Sequence, residues 1–246
     1  MSVRLASASI DENGKARGGK PGDQTGREVR IQNYYLHSKG WRVFRPLSPV
    51  VAEKIAYDAE AAAKNNKIGY NQDKRNTLYN VSKPFGFDVA KVKTACDCDC
   101  SALVRVCLAF AGISVPASFR TSNEPKTLLA TGDFVEMTGD NYTKSKTGDY
   151  LKRGDILCTP TQGHTVVVIT DGKYANVSPS PSVVKYIEVI GGSVNVRTAP
   201  NISGRILGIV HKGDLLPYGG KDENGWHLIE YKNQNAWISG KYSKKV

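Results

Sequence analysis

Ser178-Pro179-Ser180-Pro181-Ser182 divides this chain more sharply than any other feature, because two prolines among serines can continue neither a helix nor a central strand. On its N-terminal side, apolar residues recur at helical spacing and then give way to strand-like runs. On its C-terminal side, six short strand-like runs alternate with Gly, Asn and Asp turns, and no helix is predicted. Such a chain folds as two units: an α+β domain over residues 1–177 and an all-β domain over 186–246, with 178–185 as linker. Residues 1–47 read as an N-terminal extension of the first, irregular through Gly14, Gly18, Gly19, Gly22 and Gly26.

At 246 residues the chain can bury a real core, and 40% apolar with 23% charged residues is an ordinary globular balance. The net charge of +11 implies attraction to a polyanion such as an anionic wall surface. No nucleic-acid-binding signature accompanies that charge, and no apolar run approaches the roughly 18 residues needed to enter a membrane. No signal-peptide core is visible near Val3-Arg4-Leu5-Ala6, so synthesis and retention in the cytoplasm are expected. A monomer without cofactor is expected as well.

Two helices can be placed from local signals. Ser48 caps a helix that has Pro49 in its first turn, a stripe of Val51, Ile55, Ala59 and Ala62, and an end near Asn65. The second runs from Cys100 to about Ala111 and stops at Gly112, with Asp99 as its cap. That places the Cys100 thiol at a helix N-terminus, where backbone N–H groups favour a thiolate. A buried structural cysteine would fit the same place. Three cysteines crowd together as Cys96-Asp97-Cys98-Asp99-Cys100, a spacing ill suited to mutual disulfides and unlike the usual zinc pattern. A zinc hydrolase built on them is the metal-dependent alternative; no metal is expected.

Downstream, Asp155-Ile156-Leu157-Cys158 and the β-branched run His164–Thr170 read as buried strands around a turn at Thr161-Gln162-Gly163. Asp171-Gly172 predicts a hairpin that returns the chain through Lys173 to Val177. Of four histidines, His164 stands where a fold presents a side chain at the edge of its sheet, so it is the expected base for Cys100. His37 is the weaker candidate.

These residues carry a family resemblance. Asp99-Cys100-Ser101-Ala102-Leu103-Val104 resembles the nucleophile motif of NlpC/P60 cysteine peptidases. Leu151-Lys152-Arg153-Gly154-Asp155-Ile156 is similar to their Gly-Asp strand, and Gly163-His164-Thr165-Val166-Val167 to their Gly-His-Val strand. The likeness covers residues 66–177 and implies a papain-like arrangement, helices packed on a small antiparallel sheet, in which Cys100 attacks an amide and His164 protonates the leaving amine. By the same likeness Asn176 orients the histidine, with Asp171 as competitor, and Tyr70, Asp99 and Ser101 recognise substrate. Residues 186–246 resemble a bacterial SH3 (SH3b) barrel through Ser193–Pro200, Lys212-Gly213-Asp214, Asn224–Ile229 and Ala236–Tyr242. Such modules bind cell wall; Tyr218, Trp226, Tyr231 and Trp237 are the aromatic candidates, with core packing an equal reading for Trp226 and Trp237. The combination resembles a phage endolysin, a peptidoglycan hydrolase that reaches the wall after holin opens the membrane. It would cut a stem-peptide amide, or the muramoyl–L-alanine amide as an amidase. A non-catalytic wall-binding protein is the rival reading.

Overall fold

The computed structural model describes residues 2–175, 186–232 and 234–246. The chain divides into two compact units, Met1–Pro179 and Ser180–Val246. The expected linker at 178–185 lies outside the described residues.

The first unit carries β1 (Arg4–Ala8), β2 (Val29–Asn33), β3 (Arg42–Pro46), α1 (Pro49–Lys64), β4 (Ile68–Tyr70), α2 (Thr77–Ser82), β5 (Cys96–Cys98), α3 (Cys100–Phe110), α4 (Glu124–Ala130), β6 (Phe134–Met137), α5 (Asp140–Thr143), β7 (Ile156–Cys158) and β8 (Thr165–Val168). Six of the strands form an antiparallel sheet in the order β2-β1-β8-β7-β3-β6, while β4 and β5 make a small parallel pair. Residues 1–47 are therefore no extension. They supply three strands of the sheet, and β1 pairs with β8 through Leu5↔Val168 and Ala6↔Val167. The patch Val3-Arg4-Leu5-Ala6 is too short for periodicity to reveal it, yet it is buried on both faces except at Arg4.

Local chemistry explains the two main helices. Ser48 Oγ accepts the Val51 N–H, Pro49 opens α1, and Asn65 ends it. Asp99 caps α3, and Gly112 follows its end with φ +92°, a conformation costly for residues with a Cβ. Both helices pack on one face of the sheet, in a core that includes Ile55, Ala59, Leu103, Cys107, Ile156 and Val167. The opposite face is covered by a second cluster around Leu5, Trp41, Val43, Leu157, Val166 and Val168. Strand alternation assigns the odd and even residues of β8 to these two layers, so the strand reads as a continuous β-branched run.

The Gly-Asp pair before β7 is a structural joint. Gly154 has φ +93°, and a Cβ there would fall 2.5 Å from the Ala52 carbonyl oxygen of α1. Asp155 is fully buried and bonded by Arg45 through Nε at 2.8 Å and Nη2 at 2.7 Å.

Among the described residues, no hairpin follows β8. Gly172 and Tyr174 instead donate their N–H groups to the carbonyls of Leu151 and Asp149. The reason lies in the sheet: β1 and β7 already occupy both edges of β8, which leaves no edge for a returning strand.

The second unit is β-rich: β9 (Tyr186–Val189), β10 (Ser193–Arg197), β11 (Ile206–His211), β12 (Leu215–Glu223), β13 (Trp226–Tyr231), β14 (Gln234–Ser239) and β15 (Ser243–Lys245). All neighbours are antiparallel, in the order β11-β10-β14-β13-β12-β9-β15. Its own core gathers Ile187, Val189, Val196, Ile229, Ala236 and Ile238.

Candidate active site

Cys100 is the first residue of α3 and only 7% exposed. Its cap is well made: Asp99 is extended, and its Oδ1 accepts the Ala102 N–H at 2.7 Å. The N–H groups of Thr165 and Ser101 turn toward the thiol and favour its ionised form. They do not prevail. Burial, with the charges of Asp99 and Glu124 behind it, pushes the thiol up to about 12. Desolvation thus outweighs the partial charge of a helix end, worth about 0.3–1 kcal/mol at exposed sites, and the resting group is a thiol rather than the expected thiolate.

His164 immediately precedes β8. Its N–H is donated to Thr159 Oγ1 at 3.0 Å and its carbonyl accepts the Thr159 N–H at 3.0 Å, which closes the Thr161–Gly163 bend. The ring packs beside Trp41, with centroids 6.4 Å apart; Trp41 in turn meets His37 at 5.2 Å and Tyr35 at 5.6 Å. Burial first, then the charges of His37 and Arg30, hold His164 down to about 4, so its imidazole is neutral and can accept a proton. The thiol rests against the N–H of Thr165, the very next residue, so the fold brings Cys100 and His164 to the same end of β8. His37 lies in a loop with its Nδ1 accepting the Lys39 N–H at 3.0 Å, its ring beside Trp41.

Two residues compete to orient the imidazole. Asn176 lies outside the described residues. Asp171 follows the far end of β8 (Thr165–Val168), whereas His164 immediately precedes the strand. Its Oδ1 accepts the Arg153 N–H at 2.8 Å at that remote end. Among the described residues, no side chain makes a hydrogen bond to the His164 ring.

The three expected substrate residues sit around the thiol, each already engaged. Arg75 donates to Asp99 through Nε at 2.5 Å and Nη2 at 3.1 Å, and to Ser101 Oγ at 2.9 Å and the Phe119 carbonyl at 2.9 Å. Tyr70 is buried on β4; its hydroxyl accepts Gln72 Nε2 at 3.1 Å and is pushed up to about 12 by burial and then by the nearby Cys100. Beside Cys100 opens a cleft of about 310 Å³ lined by Gln72, Arg75, Ser101, Arg120, Gln162 and others. A larger groove of about 620 Å³ along α1, at Tyr57, Lys64 and Val92, holds no nucleophile.

Sequence reasoning missed Arg75, Trp41 and Glu124, none of which lies in a motif. Glu124 opens α4 and is completely buried. Its Oε1 accepts Thr165 Oγ1 at 2.7 Å, its Oε2 has no partner among the described residues, and burial raises it to about 8. The neighbouring cysteines are structural. Cys96 and Cys98 are buried on β5 with thiols toward the carbonyls of Lys67 (3.6 Å) and Gly69 (3.7 Å), and Cys107 and Cys158 are buried and free. Among the described residues, no group of three His, Cys, Asp or Glu side chains is placed to hold a metal ion, and no helix is long and apolar enough to cross a membrane.

In the second unit, the Tyr218 hydroxyl donates to Asp222 Oδ1 at 2.7 Å, an oxygen shared with His227 Nδ1 at 2.8 Å. Trp226 is half-buried. Tyr231 packs over Gly208, where any Cβ would overlap its hydroxyl, so it belongs to the core more than to the surface. Trp237 is half-buried beneath Lys221 Nζ, 5.7 Å from its ring centroid.

The cleft beside Cys100 lies on an α+β unit, and a β-rich unit follows it in the chain. A model of the endolysin-like domain matches residues 5–175 and one of the bacterial SH3 domain matches residues 192–244. The chain belongs to the endolysin-like domain family, and the pairing with an SH3 domain is that of a lytic protein directed at peptidoglycan. No curated protein and no solved structure matches it.

Proposed function

We propose that this protein hydrolyses a stem-peptide amide of peptidoglycan by thiol chemistry, with a catalytic unit of NlpC/P60, papain-like type at 1–177 and an SH3b unit at 186–246 that holds it on the wall. One observation carries this reading: the Cys100 thiol, at the start of a helix packed on an antiparallel sheet, lies against the residue that follows His164. In this mechanism the neutral imidazole takes the thiol proton as Sγ bonds to the scissile carbonyl. The carbonyl π electrons move to oxygen, and backbone N–H groups at the start of α3 stabilise that oxyanion. Collapse of the tetrahedral species breaks the C–N bond, His164 hands its proton to the leaving amine, and water then hydrolyses the thioester. A neutral resting pair suits this sequence, because the proton moves only during attack.

Clearance of purified walls by the parent protein and by Cys100→Ala tests the reading. The variant should lose clearance while still sedimenting with the walls. Clearance equal to the parent would leave a non-catalytic or differently equipped lytic protein. Mass spectrometry of the released fragments names the bond: a new N-terminus within the stem, paired with a new peptide carboxylate, means an endopeptidase, and a free N-terminal L-alanine, paired with a free muramoyl carboxylate, means an amidase.

A further inference from the structure

Three arginines, Arg17, Arg75 and Arg120, line the cleft beside Cys100, and its one carboxylate is already engaged. Asp99 is gripped by Arg75 at 2.5 and 3.1 Å, with both side chains largely buried, so the pair presents little net charge. Arg120 lines the same cleft, exposed, and its guanidinium has no ion-pair partner among the described residues. Arg17 lines it from the N-terminal loop. Its contact with Asp73 is 3.4 Å long between side chains 70% and 53% exposed, a pair of the kind that contributes little. Beyond the lining, Lys39 reaches the Gln162 carbonyl at 2.8 Å, and the charge of Arg30 acts on His164. The volume, about 310 Å³, lies at the small end of ligand pockets.

A substrate amine placed here would meet arginines and a neutralised acid. The implied use of Asp99 and Ser101 to hold substrate is then closed to a cationic group, since Arg75 already occupies both. A carboxylate, in contrast, meets a planar guanidinium able to donate two parallel hydrogen bonds.

We propose that Arg120, with Arg17, forms a subsite that reads a free carboxylate on the peptide residue flanking the scissile amide, so the protein prefers acidic stems to amidated ones. This rests on the thiol-hydrolase reading above. A wall polymer phosphate offers the same charge, and the test separates the two.

Two synthetic stem peptides, identical except for carboxylate or carboxamide at that flanking residue, are digested by the full chain, and kcat/KM is compared. The parent should prefer the carboxylate by on the order of tenfold or more, through KM. Arg120→Gln should bring the ratio toward one, and Arg120→Lys should recover part of it. A ratio of one in the parent, or a ratio that Arg120→Gln leaves in place, overturns the subsite. So does a ratio of one accompanied by Arg120-dependent inhibition by glycerol phosphate, which assigns the cleft to phosphate. Failure of the underlying reading looks different: neither peptide is cut, or Cys100→Ala cuts both, and the subsite proposal falls with it.

Discussion

Arg75 holds Asp99 in a two-point grip, Nε to Oδ2 at 2.5 Å and Nη2 to Oδ1 at 3.1 Å, across 24 residues of sequence. The same carboxylate caps α3, so one ion pair anchors the helix that begins with the candidate nucleophile. Arg75 also ties Ser101 and the Phe119 carbonyl, which joins the start of α3 to the segment that precedes α4.

Replacing Arg75 by Met should therefore cost about 3 kcal/mol, because it strands a mostly buried carboxylate. For a domain of this size that lowers Tm by roughly 6–12 °C. Wall clearance should fall as well, since an unscreened Asp99 raises the thiol further. Thermal melting of the variant beside the parent checks it, and an unaltered Tm would contradict the anchoring role.

His164 gives the pH dependence a definite sign. Its folded value near 4 lies below the ordinary 6.5, so between these two the unfolded chain binds a proton that the folded chain does not. Its contribution to stability is complete above about pH 6.5 and is lost as pH falls toward 4. Denaturant unfolding from pH 4 to 7 should show that slope, and His164→Gln should flatten it. The acid limb of kcat/KM should likewise fall well below pH 6.5.

Thiol labelling should pick out one cysteine. All five are buried and free, and Cys100 lines the cleft beside α3. Iodoacetamide on the native protein should modify one thiol, slowly at neutral pH because the thiolate fraction is small, and Cys100→Ala should abolish that label. Intact-mass analysis reads the stoichiometry; two or more fast-reacting thiols would argue against the buried β5 cysteines described above.

Asp155→Asn should destabilise by about 3–5 kcal/mol, since it leaves Arg45 buried without its counter-charge. The Arg45→Met, Asp155→Leu double variant should melt above Asp155→Asn, because no uncompensated charge remains. A double variant no more stable than the single would mean that the packing at this joint, rather than its charge balance, governs.

Tyr231 and Trp226 should separate folding from wall binding. Tyr231→Ala removes the ring that covers Gly208 and should cost about 2 kcal/mol in the β-rich unit. Trp226→Ala should weaken co-sedimentation with walls with a smaller loss of stability. Melting curves and wall pull-downs on both variants decide this.

What could be read in advance were features written in neighbouring residues. Ser48, Pro49 and Asn65 bound α1, Asp99 and Gly112 bound α3, and Ser193–Arg197, Ile206–His211 and Trp226–Tyr231 are strands with the bounds read from their alternation and turns. Caps, helical spacing and strand alternation act within a few residues, so they survive in one dimension. Cys100 and His164 were legible for the same reason, as the first residue of a helix and the head of a β-branched run.

Edges, partners and solvent exposure are not local, and there only the folded chain answers. The N-terminal strand β1 takes the edge of β8 that a hairpin would have used, and so moves Asp171 away from the histidine. Arg75 reaches Asp99, and Glu124 is buried under Thr165, through contacts between segments far apart in the chain. The charge state of Cys100 follows from those contacts. A helix end favours the thiolate, but removing the group from water disfavours it more strongly, and how much water reaches a side chain is a property of everything packed around it.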